Sequence, residues 1–282
     1  MDKIIQAKNV KYTYNSEEED YAIAALEGIN ATVEQGEFIS VIGKNGSGKS
    51  TFARLLNALL IPTEGTVIVD EMYTRDEDYL WEIRKNVGMV FQNPDNQMVA
   101  SVVVDDIAFG MENLAVPPEE MRQRVNEVME DLRITKLADR APNDLSGGQK
   151  QKVALAGILA MQPKCIVLDE ATAMLDPKGR KDVLNILKKI NKERNITIVH
   201  ITHHMDESLE ADRVLVINEG KLILEGTPAQ VFSKSKLLKD IGLEVPQTVE
   251  VLDALREKGY DIPKETVTIE DAVEQLVKVL KG

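Results

Sequence analysis

The chain has 282 residues, enough for one large domain or a domain with a small appendage. Its 43% apolar residues suffice for a core, and 47 acidic against 34 basic residues leave a net charge of −13. That balance argues against a nucleic-acid groove and against docking on anionic lipid by charge alone, and the single cysteine, Cys165, excludes an internal disulfide and suits a reducing compartment.

The start, MDKIIQAKNV, lacks the apolar run of a signal peptide. The longest apolar stretches, such as 153–161, are too short to span a bilayer, so the chain reads as soluble and any membrane role would come through a partner. In VKYTY, period-2 alternation places Tyr12 and Tyr14 on one strand face. SEEED (16–20) reads as a solvated acidic loop. EFISVI (37–42) is a buried strand, followed by a glycine-rich turn and a helix from about Lys49 to Leu60, ended by Pro62 and Gly65; TVIVD is the next strand. Roughly 93–160 reads as a helical insertion, with PPEEMRQRVNEVMEDLRI as one helix and SGGQKQKVALAGILA as another helix entry. KCIVLDE (164–170) and ITIVHIT (196–202) are buried strands separated by an amphipathic helix, and 213–226 is a hairpin turning at Asn218–Gly220. Two helical patterns fill the tail from about 236, the second capped by Thr268 with Asp271 three residues on. Alternation of β-branched runs with helices predicts an α/β fold with parallel strands, a main domain over 1–235 and a helical C-terminal region over 236–282.

Gly43-Lys44-Asn45-Gly46-Ser47-Gly48-Lys49-Ser50 fits the phosphate-loop pattern GxxxxGK[ST] between a strand and a helix. Its glycines let consecutive backbone N–H groups curl around phosphate oxygens, and the following helix points its positive end at the same anion. Lys49 is expected to reach the β- and γ-phosphates and Ser50 to ligate Mg²⁺; with Thr51, the loop residues are the candidate nucleotide contacts. Asp169, ending an apolar strand, is the expected Mg²⁺ arm, and Glu170 beside it the group that polarises an attacking water. All three histidines fall in HITHH (200–204). The strand ends near His203, where ligands of open α/β sheets collect. His200 is expected to be a hydrogen-bonded core residue and His204 to point elsewhere, toward solvent. A zinc site fits poorly, because His203 does not share the strand parity of the other two.

Leu145-Ser146-Gly147-Gly148-Gln149 resembles the signature motif of ATP-binding-cassette ATPases and lies in the helical insertion, where that family keeps it. Ser146 and the glycine amides at a helix N-terminus would form a second anion receptor. The resemblance covers roughly 1–235 and implies a cassette-type P-loop fold, a mixed sheet with an inserted helical subdomain. It also implies head-to-tail pairing, in which each signature caps the γ-phosphate held by the other chain's phosphate loop. Gln92 resembles the glutamine that touches Mg²⁺ and the attacking water, on a loop that contacts a transmembrane partner. Asp176 resembles the aspartate that crosses the dimer interface, and His203 the switch histidine at the γ-phosphate. Tyr14 resembles the aromatic that stacks on adenine, with Tyr12 its rival. Ala173 stands where serine is usual and Lys152 where arginine often follows the signature, which leaves contacts at those two positions open.

Residues 91–121, GLEVPQTVEVLDALREKG (242–259) and DEATAMLDP (169–177) resemble the ATPase subunits of energy-coupling-factor importers of vitamins or metal ions, the first of two paralogous ATPases in particular. That resemblance implies ATP and Mg²⁺ and a second ATPase subunit, a heterodimer with a homodimer left open. It further implies a transmembrane coupling protein, a substrate-binding membrane component, and a place at the cytoplasmic face of the membrane. The apolar stretch Gln97–Val104 is either a partner-helix groove or subdomain core. Against the ATPase stand two other readings, a nucleotide-gated binding module without turnover and a non-transport cassette protein.

Overall fold

Two long strands open the chain. β1 (Lys3–Asn15) and β2 (Ala22–Glu34) pair antiparallel, and β4 (Glu64–Val69) and β5 (Met72–Tyr73) complete a four-stranded sheet in the order β2-β1-β4-β5. The computed structural model describes residues 2–15 and 22–281, so the acidic stretch 16–20 lies outside the described residues. The short β-branched runs behave differently. β3 (Phe38–Ile42), β6 (Val87–Val90), β7 (Cys165–Asp169) and β8 (Thr197–Ile201) are buried at every position, which demands cover on both faces. With β9 (Arg213–Asn218) they form the parallel part of a six-stranded sheet ordered β10-β9-β3-β8-β7-β6. β10 (Lys221–Gly226) returns antiparallel through a turn in which Glu219 and Gly220 have φ of 48° and 73°, as a two-residue hairpin of this twist requires.

Between the sheets lies α1 (Lys49–Leu56), whose Phe52, Leu55 and Leu56 share a core with Ile5 and Val10 of one sheet and Val41 and Val167 of the other. The helix stops four residues before the expected Leu60. Ala58 takes a left-handed φ of 55°, and the N–H groups of Leu59 and Leu60 both fold back onto the Arg54 carbonyl. Gly65 does not end that helix either. It sits inside β4 at φ +78°, opposite a bulge in β1, where a Cβ would come within 2.0 Å of the Asn9 carbonyl oxygen.

α2 (Leu80–Asn86) leads into β6. The insertion consists of α3 (Val103–Asn113), α4 (Pro118–Asp131) and α5 (Gly147–Ala160). Its Val103, Ile107, Met111, Val125 and Leu155 bury together with Leu168 and Ile198 of the parallel sheet and with Leu187 of α6 (Pro177–Arg194). After the single turn of α7 (Met205–Ser208) and the hairpin come α8 (Pro228–Phe232), α9 (Ser235–Asp240), α10 (Gln247–Glu257) and α11 (Ile269–Lys281). Leu238, Leu243, Val245 and Val249 bury against Ile42, Val214 and Val216, so the first part of the tail shares a core with β3 and β9. Leu252, Ile262 and Ala272 make a smaller cluster that joins α10 to α11. Thr268 caps α11 as its sequence predicts, accepting the Asp271 N–H at 3.1 Å. Because β3, β7 and β8 run in parallel, Ile42, Asp169 and Ile201 end at one edge of the sheet, and the chemistry-bearing motifs follow those three residues.

Candidate active site

The chain turns immediately after β3. A Cβ at Gly43 would lie 2.2 Å from the Ile217 carbonyl oxygen and one at Gly48 2.5 Å from that of Ala25, so the turn passes too close to backbone for side chains. Gly48, at φ 106°, is the cap of α1, and the outer side of Gly46 is open. Lys49 folds back along the turn, its Nζ donating to the carbonyls of Gly43 and Lys44, both at 2.9 Å. Burial lowers the Lys49 pKa while Glu170 and Asp169 pull it back up. Ser47 Oγ is buried without a hydrogen-bond partner, a polar atom the loop holds in reserve. Tyr14 OH meets Thr51 Oγ1 at 3.2 Å. The two tyrosines do share a face, edge to face at 4.8 Å, but Tyr12 packs against the core while Tyr14 is exposed beside the loop.

Ser50 Oγ donates to Asp169 Oδ1 at 2.7 Å, which brings the two candidate metal ligands together. Burial raises the Asp169 pKa against the opposing pull of the Ser50 hydrogen bond and the Arg54 and Lys49 charges. A desolvated carboxylate beside a hydroxyl is a hard-oxygen pair that fits a small divalent cation such as Mg²⁺. Glu170 follows in a left-handed conformation, φ 51°, its N–H donating to the Ile201 carbonyl at 3.1 Å. Such a conformation costs roughly 1–3 kcal/mol in a non-glycine residue and survives where surrounding contacts impose it. It delivers the side chain to three sequence-distant groups. Glu170 Oε2 accepts from Gln92 Nε2 at 3.1 Å and lies 3.5 Å from His203 Nδ1, and Oε1 lies 3.9 Å from Lys49 Nζ.

The histidines divide as their strand positions predict, with one correction. His200 is fully buried, its Nε2 2.9 Å from Glu207 Oε2, and His203 is at Glu170. His204 does not turn to solvent. Its ring packs at a tilt against His203, centroids 4.1 Å apart, and brings Nε2 to 2.5 Å from Arg180 Nη1. Burial lowers its pKa, with the His203 charge adding to the effect. The reason is tertiary: His204 is the cap residue of α7, and that turn packs back against α6.

Ser146 caps α5, its Oγ accepting the Gln149 N–H while Gln149 Oε1 accepts the Ser146 N–H at 2.9 Å. Gly147 has nothing within 4 Å of where a Cβ would be, so the helix start is open on that side. Ser146, Gly147, Gly148 and Gln149 line a cavity of about 920 Å³ together with Asp176, which caps α6 through Gly179 N–H at 2.7 Å. Lys152 lines the same cavity, and Ala173 contributes only its N–H, to the Glu170 carbonyl at 3.0 Å.

Residues 26–173 match the family described as ABC transporter. The chain belongs to the ABC transporter family, in its energy-coupling factor ATP-binding branch. It is 51% identical to the energy-coupling factor transporter ATP-binding protein EcfA1 of Clostridioides difficile (strain 630), over 99% of this chain and 100% of that one. It is 54% identical to EcfA1 of Caldanaerobacter subterraneus subsp. tengcongensis, over 96% and 98%. The solved structure of cbiO1 from Clostridium perfringens, described as part of the ABC transporter complex cbiONQ, superposes with a TM-score of 0.75 at 35% identity, covering 90% of this chain and all of that one. The cassette MJ0796, in a dimeric post-hydrolysis state bound to ADP and Pi, superposes with a TM-score of 0.73 at 34% identity, over 79% of this chain and 98% of that one. The cassette is thus an ATPase subunit of the energy-coupling factor type.

Four supporting side chains carry no motif of their own. Gln97 Oε1 accepts the Phe91 N–H at 3.3 Å and Gln151 Nε2 donates to the Phe91 carbonyl at 3.4 Å, so the peptide groups on both sides of Phe91, next to Gln92, are held. Lys150 reaches Asp95 from the signature helix. Glu207 gathers groups from both sides of Glu170 and His203. Lys150 and Gln151 directly follow the signature and Gln97 lies five residues past Gln92, whereas Glu207 stands beside none of the motifs named in the sequence.

Proposed function

We propose that this cassette hydrolyses ATP in a site completed by a second ATPase subunit and passes the closure to a transmembrane coupling protein at the cytoplasmic face of the membrane. One observation carries the hydrolytic reading. A single carboxylate, Glu170, is met by Gln92, His203 and Lys49, residues from three separate motifs. In this reading the amides of Gly43–Thr51 and the Lys49 ammonium hold the phosphates, and the exposed face of Tyr14 stacks on adenine. Ser50, Asp169 and Gln92 would hold Mg²⁺, which when bound offsets phosphate charge. Glu170 takes the proton of a water attacking the γ-phosphoryl group, His203 orients that water, and ADP and phosphate leave. Ser146, Gly147, Gly148 and Gln149, open on their outer side, cap the γ-phosphate of the other subunit, and Asp176 beside them reaches across the pair.

No helix among the described residues is long and apolar enough to cross a membrane, so a membrane role needs partners. The names of EcfA1 and of cbiO1 point to transporter complexes, and a heterodimer with a paralogous ATPase, a coupling protein and a substrate-binding membrane component fit that setting. The cargo in this reading is a vitamin or another micronutrient, metal ions included. Two surfaces suit the partners. Met98 packs against the subdomain core while Val99 is 61% exposed at the rim of a groove of about 620 Å³, a site for a coupling helix. Ile269, Val273 and Val277 repeat every fourth residue on α11 and are exposed, a stripe for pairing the C-terminal regions 236–282. The deciding experiment is ATP turnover by the purified transporter complex carrying Glu170→Gln. The expected result is loss of the turnover this site supplies with ATP still bound. Turnover at the wild-type rate removes Glu170 from the role of base and favours a nucleotide-gated module.

A further inference from the structure

Behind Glu170 lies a second carboxylate that no step above uses. Glu207 stands in the single turn of α7 with only 6% of the residue exposed. Its Oε2 accepts from Thr202 Oγ1 at 2.6 Å and from Thr172 Oγ1 at 2.9 Å, and lies 2.9 Å from His200 Nε2. Its Oε1 has no hydrogen-bond partner and faces Arg180 Nε at 3.9 Å. Burial pushes the Glu207 carboxyl up, but the His200, Thr202 and Thr172 contacts outweigh it and hold the pKa at about 2, so the group is a carboxylate at neutral pH. A buried charge is costly unless hydrogen bonds satisfy it.

The places of the two threonines in the chain explain what this charge does. Thr172 is two residues past Glu170, in the turn that runs on to Asp176, and Thr202 immediately precedes His203. The Thr202 hydroxyl also accepts the His204 N–H at 3.0 Å, so its direction is set from both sides. Glu170 and His203 therefore follow two neighbouring parallel strands, and the threonines beside them are drawn onto one oxygen from behind. Past the β7–β8 ladder, the Glu170 N–H donates to the Ile201 carbonyl and ties the two segments through backbone.

We propose that Glu207 is a positioning residue for hydrolysis, setting the separation of Glu170 and His203 by holding Thr172 and Thr202 on a single carboxylate oxygen. The inference rests on the reading that Glu170 and His203 act at the γ-phosphoryl group. The alternative is a stabilising role, in which Glu207 serves only to fix the buried His200 in place.

The test uses the purified transporter complex with this subunit varied, reading kcat and KM for ATP, ATP affinity and thermal unfolding on the same preparations. Glu207→Gln is expected to remove most of the turnover that Glu170→Gln removes, with KM and ATP affinity within about two-fold of wild type, because misplacement of reacting groups falls on kcat. Thr172→Val and Thr202→Val are expected to lower kcat separately and to add little in the Glu207→Gln background, since groups acting through one contact are non-additive. Glu210→Gln, an exposed neighbour, leaves turnover unchanged. The inference is overturned by Glu207→Gln turnover equal to wild type, by KM and kcat falling together with stability, or by full additivity of the threonine variants. If Glu207→Gln fails to assemble, the double variant Thr172→Val/Thr202→Val decides, and an unchanged kcat overturns the proposal. Full turnover in Glu170→Gln overturns the underlying reading instead.

Discussion

Lys49 is buried and donates to two carbonyls, and burial lowers its pKa while Glu170 and Asp169 pull it back up. A phosphate chain entering the loop would take over those donors. Lys49→Ala removes charge-assisted bonds worth about 1.5–3 kcal/mol and is expected to weaken ATP binding roughly 10–100-fold, measured by titration calorimetry. Unchanged affinity would contradict the assignment. The neighbouring imidazoles separate just as sharply. His203→Ala is expected to abolish turnover at this site, whereas His204→Ala retains most of it, because only His203 reaches Glu170. The opposite pattern in a steady-state assay would shift the role by one residue. His203 was legible because strand parity and the strand end both point to it. The contacts of His204 with His203 and Arg180 were not, since they depend on how α7 packs against α6.

Strands and glycine turns announce themselves through local sterics, but the same residue type can serve different elements. Gly65 reads as a helix stop after Pro62, yet it lies within β4 against a bulge whose existence depends on pairing with β1. A side chain there meets the Asn9 and Lys8 carbonyls at 2.0 and 2.5 Å and must hold φ +78°. Gly65→Ala is expected to lower stability by roughly 1–3 kcal/mol, seen as a lower denaturant midpoint with an unchanged slope. A midpoint equal to wild type would show that the strands yield there. The early end of α1 has a similar origin. NALL continues the apolar helical pattern, but the left-handed turn at Ala58 breaks it before the chain passes to β4.

Assembly is the level at which the proposed function makes its largest demand. In that proposal the phosphate loop and the signature serve as two anion receptors of one subunit, and the signature opens into its own cavity with Asp176 rather than onto Glu170. Two exposed apolar features are assigned to partners above, and each has its own readout. Val99→Asp is expected to reduce co-purification with the transmembrane component, and Val273→Asp to reduce pairing with the second ATPase. Both sites are exposed, so unfolding temperature should hardly move. Intact complexes from both variants would remove these surfaces from the assembly.

Composition and pattern alone carried the fold class, the buried parallel strands, the phosphate loop and the places of Asp169, Glu170 and His203, because glycine sterics, strand parity and strand ends are local properties. Long-range packing turned Tyr12 onto the core and left Tyr14 exposed beside the loop, brought Gln92 to Glu170 across 78 residues, joined the tail to β3 and gathered Thr172, His200 and Thr202 on Glu207. None of these follows from neighbours in the chain. Each depends on which backbone segments come together around the parallel sheet, and that meeting is settled only when the whole core closes.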